Sequence, residues 1–156
     1  MSAIDIEKMK VLHQTDQIHQ NRIGAIRCKD NLLLTAGYDN QVRLFDARTY
    51  EHICAFQSIM IWYVGVPAKF NTIDKSNHIL AAAYNDHITF WDLKKRKQRT
   101  EFKDSFNSEI TCLRFHETVS TRFGCCDLSG MISMFDLTQP NEEDAFEWCF
   151  KILESP

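Results

Sequence analysis

Short apolar runs alternate with polar turns along the chain, and three of the runs end alike: Val42–Asp46 (VRLFD), Ile88–Asp92 (ITFWD) and Ile132–Asp136 (ISMFD). The closing aspartates stand 46 and 44 residues apart. Self-similarity at a fixed spacing of this size marks a repeat architecture, in which each repeat is one supersecondary unit stacked on the next. The likeness continues upstream without a gap through Thr35–Gln41, Ala81–His87 and Cys125–Met131. Earlier in each repeat the runs Ile23–Arg27, Ile61–Val66 and Ile110–Phe115, each followed by polar residues, predict a first strand. After each aspartate a polar loop leads to a weaker run, at His52–Phe56, Gln98–Phe102 and Phe146–Phe150, which predicts a last one. In the third repeat Asn141, followed by Glu142, Glu143 and Asp144, has the composition of a helix start. The alternation of Phe146, Trp148, Phe150 and Ile152 favours a strand there.

Four strands per period, rich in Ile, Val, Phe and Thr, predict all-β structure built from three four-stranded antiparallel sheets. The period is that of a β-propeller blade. The expected division is residues 18–58, 59–104 and 105–156 for blades one to three, the last including the C-terminal segment. Residues 1–17 form an N-terminal segment in which Met9–Thr15 falls where the outer strand of a neighbouring blade would lie.

The first repeat resembles the WD-repeat family in its individual residues. His19 stands where that family has the histidine of its Gly-His pair, Asp39 sits in the turn, and Phe45–Asp46 replaces Trp-Asp, a pair found intact at Trp91–Asp92. The resemblance covers about nine-tenths of the chain and rests on repetition at blade length more than on any dipeptide. It implies a structural hydrogen-bond network of His19, Thr35 and Asp39 in blade one, shortened because Phe45 has no indole N–H to donate. In blade two Met60 and Asn85 occupy the histidine and aspartate positions, and in blade three Phe106 and Ser129 do, so packing must replace that network there. Arg114–His116, Asp127–Asp136 and Asn141–Ala145 are similar to the WD repeat-containing protein 89 family. The resemblance implies a propeller with more than three blades, of which this chain is a part or a truncated product.

Composition narrows the function. With 156 residues, 44% of them hydrophobic, the chain can bury a sizeable core, and 18 basic against 21 acidic residues leave a formal charge of −3. No global field attracts nucleic acid or an anionic membrane. Residues Met1–Lys10 lack the apolar centre of a secretory signal, and the longest apolar stretch, Ile59–Ala68, is too short to span a bilayer. Six cysteines without framework spacing fit a reducing cytoplasmic or nuclear compartment.

No catalytic, cofactor-binding or metal-binding residues are expected. The sequence has no CxxC or HExxH, and its five glycines form neither GxxxxGK[ST] nor GxGxxG, so zinc and nucleotide sites lack their donors. His19 beside Asp39 could be imagined as a base, but the repeat assigns both to structure. The acidic run Glu142–Asp144 reads as a solvated loop. The basic run Lys94–Arg99 (KKRKQR) follows the Trp-Asp pair directly and reads first as a polar turn, then as a nuclear import signal. The expected function is therefore a non-catalytic protein–protein interaction scaffold. Its candidate contact residues lie in the second turn of blades one and two: Tyr38, Asp39, Asn40, Tyr84, Asn85 and Asp86. Self-association through open blade edges is a further expectation. The alternative is an RNA-linked or ribonucleoprotein-assembly factor acting through Lys94–Arg99, although nucleic acid is not the expected partner.

Overall fold

The computed structural model describes residues 2–58, 68–103, 106–139 and 142–151. A hairpin of β1 (Ser2–Asp5) and β2 (Lys10–Gln14) precedes three four-stranded antiparallel sheets. The first contains β3 (Ile23–Lys29), β4 (Leu32–Gly37), β5 (Gln41–Asp46) and β6 (His52–Gln57). The second contains β7 (Thr72–Ser76), β8 (Ile79–Tyr84), β9 (His87–Asp92) and β10 (Lys97–Phe102). The third contains β11 (Ile110–Phe115), β12 (Arg122–Asp127), β13 (Met131–Asp136) and β14 (Phe146–Lys151), with one turn of helix, α1 (Glu142–Ala145), before its last strand. In every sheet spatial order follows chain order. The all-β, three-blade reading of the sequence therefore holds. The helix start and the strand at 142–151 both exist, one after the other. No helix among the described residues is long and apolar enough to cross a membrane.

One strand differs from expectation. The inner strand of blade two is Thr72–Ser76, whereas the apolar pattern pointed to Ile61–Val66. That run, and Met60 with it, lies outside the described residues. The sequence TIDKS reads as a polar loop, yet all five residues are buried, and the Thr72, Asp74 and Lys75 side chains bond across the blades instead of facing water. A second difference concerns the N-terminal segment, where Lys10–Gln14 pairs with Ser2–Asp5 of the same chain.

The repeated aspartates close the turn between the third and fourth strands. Asp46 Oδ1 accepts from the Arg48 and Thr49 amides at 2.8 and 3.2 Å, Asp92 Oδ1 from Lys94 and Lys95 at 2.9 Å each, and Asp136 Oδ1 from Thr138 at 3.0 Å. These are Asx turns, which spare the loop backbone from finding other partners. The residue after each aspartate also ties that turn to the first one of its blade: Ala47 N–H to Asn31 O, Leu93 to His78 O and Leu137 to Thr121 O, at 2.8, 2.8 and 2.9 Å. Left-handed backbone recurs as well, at Asn31 and Asn77 in the first turn and at Tyr50 and Arg96 in the last. Asparagine visits this region easily, while Tyr50 and Arg96 cost about 1 kcal/mol each there.

Packing follows from strand β8, whose side chains alternate between two cores. Leu80, Ala82 and Tyr84 join Leu34, Ala36, Val42, Leu44 and Phe56 of blade one, together with Phe70, Ile73 and Trp91. Ile79, Ala81 and Ala83 join Leu113, Phe115, Phe123 and Phe135 of blade three, with Ile88, Phe90 and Phe102. The alanines let three sheets approach on both faces of one strand. Phe90, Phe102, Phe123 and Phe135 meet with ring centroids 5.1–6.1 Å apart, the spacing of offset and edge contacts.

Candidate interaction surface

The second turn of blade one is held from below. His19 Nδ1 lies 2.9 Å from Asp39 Oδ1, and its Nε2 lies 2.8 Å from Thr35 Oγ1. An ionised Asp39 can only accept, so Nδ1–H donates to it, and in the neutral ring Nε2 accepts the Thr35 hydroxyl proton. The carboxylate also accepts from the amides of Gln20 at 2.9 Å and Gln41 at 3.2 Å. Burial alone would raise the Asp39 pKa, but the His19 bond and the two amide bonds outweigh it, so the acid lies below its ordinary value. His19 and Thr35 are buried. Gly37 makes room for the arrangement, since a Cβ there would collide with the His19 ring and the Asp39 carboxylate.

The candidate contact residues have different surroundings. The Tyr38 hydroxyl donates to Asn71 Oδ1 at 3.3 Å, and Asn71 Nδ2 donates to Glu109 Oε1 at 2.5 Å, a chain that joins the three blades along one rim. Asn40 exchanges two bonds with the Ser58 backbone, both 3.3 Å. Tyr84 is buried and donates to Glu101 Oε1 at 2.8 Å; burial and that neighbouring acid push its phenol well above the usual range. Asn85 is exposed, at a left-handed φ of 47°. Asp86 is partly exposed and lies 2.6 Å from His87 Nδ1. The structure thus brings His19, Thr35 and Asp39 together, and leaves Asn85 as the one exposed residue of the six turn residues. In blade three Phe106 is a core residue, while the turn acceptor is Asp127 rather than Ser129: Asp127 Oδ1 accepts from the Ser129 amide at 2.9 Å and the Met131 amide at 3.1 Å.

Sequence reasoning missed the residue that joins all three inner strands. Asp74, 1% exposed on β7, accepts the Phe115 N–H of β11 at 2.9 Å and Arg27 Nε of β3 at 3.4 Å. Two residues earlier, Thr72 Oγ1 accepts the Leu113 N–H at 3.2 Å, and Lys75 Nζ reaches Asp30 of blade one at 2.5 Å. The available signal was an Asp-Lys pair separated by three residues from the apolar Ile79–Ala83.

Two faces of the stack have no four-stranded sheet against them among the described residues. On blade one Ile26 is 58% exposed, and the hairpin residues Ser2 and Ala3 close a cavity of about 220 Å³ over Ile26, Cys28 and Leu33. On blade three Ile132 and Met134, alternating with buried Ser133 and Phe135, turn away from blade two, beside Trp148 at 46% exposure. Between the blades, Lys94, Lys95, Arg96 and Lys97 are all exposed, and none forms an ion pair among the described residues. Arg96 and Lys97 flank a groove of about 370 Å³ whose wall includes Phe56 and Trp91.

No family model matches the chain. Among curated proteins it is 28% identical over 115 residues to a WD repeat-containing protein 89 homolog of Dictyostelium discoideum, covering 74% of this chain and 30% of that protein. It is 22% identical over 129 residues to the U3 small nucleolar RNA-associated protein 15 homolog of Bos taurus, covering 83% and 24%. The chain therefore spans less than a third of the length of these relatives. Among solved structures it is similar to a chain of the mitotic checkpoint complex, with a TM-score of 0.77 at 13% identity over 96% of this chain and 44% of that one. It is also similar to the RRP9 WD40 repeats, with a TM-score of 0.71 at 11% identity over 86% and 40%. Blade-length repetition, WD-repeat relatives and structural neighbours agree: the chain is similar to WD-repeat proteins and folds as three consecutive propeller blades among its described residues.

Proposed function

We propose that the chain is a non-catalytic protein-interaction scaffold that works as part of a larger propeller assembly in the cytoplasm or nucleus. The observation carrying this reading is the apolar surface left exposed on the two end faces of the stack, where Ile26 and Trp148 are about half exposed. Apolar surface of this kind on a regular sheet is stabilised by a protein neighbour, either further blades or another chain. Exposed Asn85 and partly exposed Asp86 lie in a blade turn away from those faces and are the proposed contacts for a partner that leaves them alone. Light scattering on the purified chain over a range of concentrations tests the reading. Association is expected, and Ile26→Glu with Trp148→Glu should abolish it, since each places a charge where apolar surface is to be buried. A monomer at every concentration that captures no protein through these faces would refute the scaffold.

A second reading, RNA-linked assembly, is favoured by one specific observation: the four cations Lys94–Lys97 are exposed in a row and form no ion pair among the described residues. The similarity to a U3 small nucleolar RNA-associated protein 15 homolog agrees with it. Phe56 and Trp91 are buried in the adjoining groove, so no aromatic face is offered for base stacking and binding would run through phosphates. Affinity for single-stranded RNA should then fall steeply with salt, by a log–log slope of about −0.7 per contact, and be lost when the four cations are replaced by Gln.

A further inference from the structure

We propose that Cys112 and Cys126 form a redox-active dithiol that closes to a disulfide on the outer face of blade three. The two residues are direct cross-strand partners on β11 and β12. Their immediate neighbours Leu113 and Cys125, also partners, are buried in the core facing blade two. Because successive side chains of a strand point to opposite faces, Cys112 and Cys126 share the other face, where both are only half-buried. Paired residues of an antiparallel ladder have Cα atoms about 4.5–5.5 Å apart, inside the roughly 4.4–6.8 Å window that a disulfide spans. A register shift between Ile110 and Cys112 places a bulge beside the pair, and a bulge bends its strand and gives local freedom to adjust the sulfur dihedral.

The surroundings suit the chemistry. On the same face Gly124, the partner of Arg114, carries no side chain, so the next position along the ladder does not crowd the thiols from that side. Burial, then the neighbouring Cys112 and Asp127, push the Cys126 thiol above its ordinary value, so the reaction quickens as pH rises and the thiolate fraction grows. Cys125, deeply buried on the opposite face, has its thiol held still higher by burial and stays out of the reaction. With hydrogen peroxide as oxidant, one thiolate attacks a peroxide oxygen and breaks the O–O bond. This gives a sulfenic acid and hydroxide, which takes up a proton to become water. The second thiol attacks the sulfenic sulfur, the S–S bond forms, the S–O bond breaks, and a second water leaves. Two thiols and one peroxide give one disulfide and two waters, and the two electrons pass from sulfur to peroxide.

The test uses the full chain, treated with hydrogen peroxide at pH 7 and pH 8.5, blocked with an alkylating reagent, digested without reductant and read by mass spectrometry. The expected product is one peptide pair linked through Cys112 and Cys126, two hydrogens lighter than the sum of the reduced peptides, forming faster at the higher pH and reversed by dithiothreitol. Cys112→Ser should abolish the link and leave a sulfenic acid on Cys126 that dimedone traps, while its circular dichroism spectrum stays that of the parent chain. Alkylation of both thiols after peroxide treatment would overturn the proposal. So would a dominant link through Cys125 or another cysteine, or over-oxidation of a single thiol without a link.

Discussion

Replacing Asp74 by Ala should destabilise the whole stack more than any other single charge removal. The substitution takes away the acceptor of the buried Phe115 N–H at 2.9 Å and of Arg27 Nε at 3.4 Å. The first loss is the larger. The Phe115 amide lies on an inner strand with no water to turn to, and an orphaned buried donor costs about 1–3 kcal/mol on top of the roughly 1.5–3 kcal/mol that a bond to a charged group contributes. The Arg27 side chain is 38% exposed and can hydrate, so that longer bond contributes less than about 1 kcal/mol. In the other direction, removing a carboxylate relieves the cost of keeping it from water, which brings the expected net for Asp74→Ala to about 3 kcal/mol. At about 2–4 °C per kcal/mol for a chain of this size, the melting temperature should fall by roughly 6–12 °C. Asp74→Asn keeps an acceptor for Phe115 and should cost about 1 kcal/mol, and Arg27→Ala less than that. Urea unfolding of the three variants gives the order, and hydrogen exchange at the Phe115 amide gives the mechanism. An Asp74→Ala variant within about 0.5 kcal/mol of the parent, or an unchanged Phe115 exchange rate, would refute the assignment of Asp74 as the joint between blades.

Three other outcomes follow from the described geometry. His19→Ala strips Thr35 and Asp39 of a shared partner in a buried site and should cost about 2–4 kcal/mol by chemical denaturation, with Thr35→Ala, which removes one bond only, near 1 kcal/mol. Gly37→Ala drives a methyl into the His19 ring and Asp39 carboxylate, so it should lower stability by about 1–3 kcal/mol, whereas the same change at Gly130, a turn position at φ 80°, should cost only about 1 kcal/mol. The turn aspartates give a pH signature: hydrogen bonds to the Arg48 side chain and to turn amides hold Asp46 down to about 2, and amide bonds, to Lys95 and to Thr138 respectively, hold Asp92 and Asp136 below the usual value. Their folded pKa values are depressed, so their contribution is complete above the unfolded carboxylate value near 4 and is lost as pH falls toward about 2. An Asp46→Asn, Asp92→Asn, Asp136→Asn triple variant should flatten the stability profile in that window and leave its shape above pH 5 unchanged.

What could be read in the sequence was set by how each residue is satisfied. The strands ending in Asp46, Asp92 and Asp136 were legible because apolar alternation and turn chemistry act locally, within six residues of each aspartate. Likewise His19, Thr35 and Asp39 could be named, since three specific side chains at blade spacing leave few other uses for them. Strand β7 was not legible. Thr72, Asp74 and Lys75 are polar by composition and buried by partnership, and their partners Leu113, Phe115 and Asp30 lie about 40 residues away in the chain. The apolar run Ile61–Val66 drew the assignment instead, as hydrophobic pattern alone would. The turn residues Tyr38, Asn40 and Tyr84 show the same limit from the other side: polar residues in a turn read as free surface, and only coordinates reveal that each is already bonded across the fold.

The two inner strands of the middle sheet have no outside. Both faces of β8 are committed to neighbours, and β7 is sealed from solvent along its length, so blade two cannot open while the other two stay shut. Loss of order should therefore begin at the two ends and travel inward, with amide protection highest on Leu80–Ala83 and lowest on the terminal strands. A cut between blades would leave the fragment holding the central sheet with a bare aromatic wall in water, and the three repeats, alike as they are in sequence, are for that reason not three independent folding units.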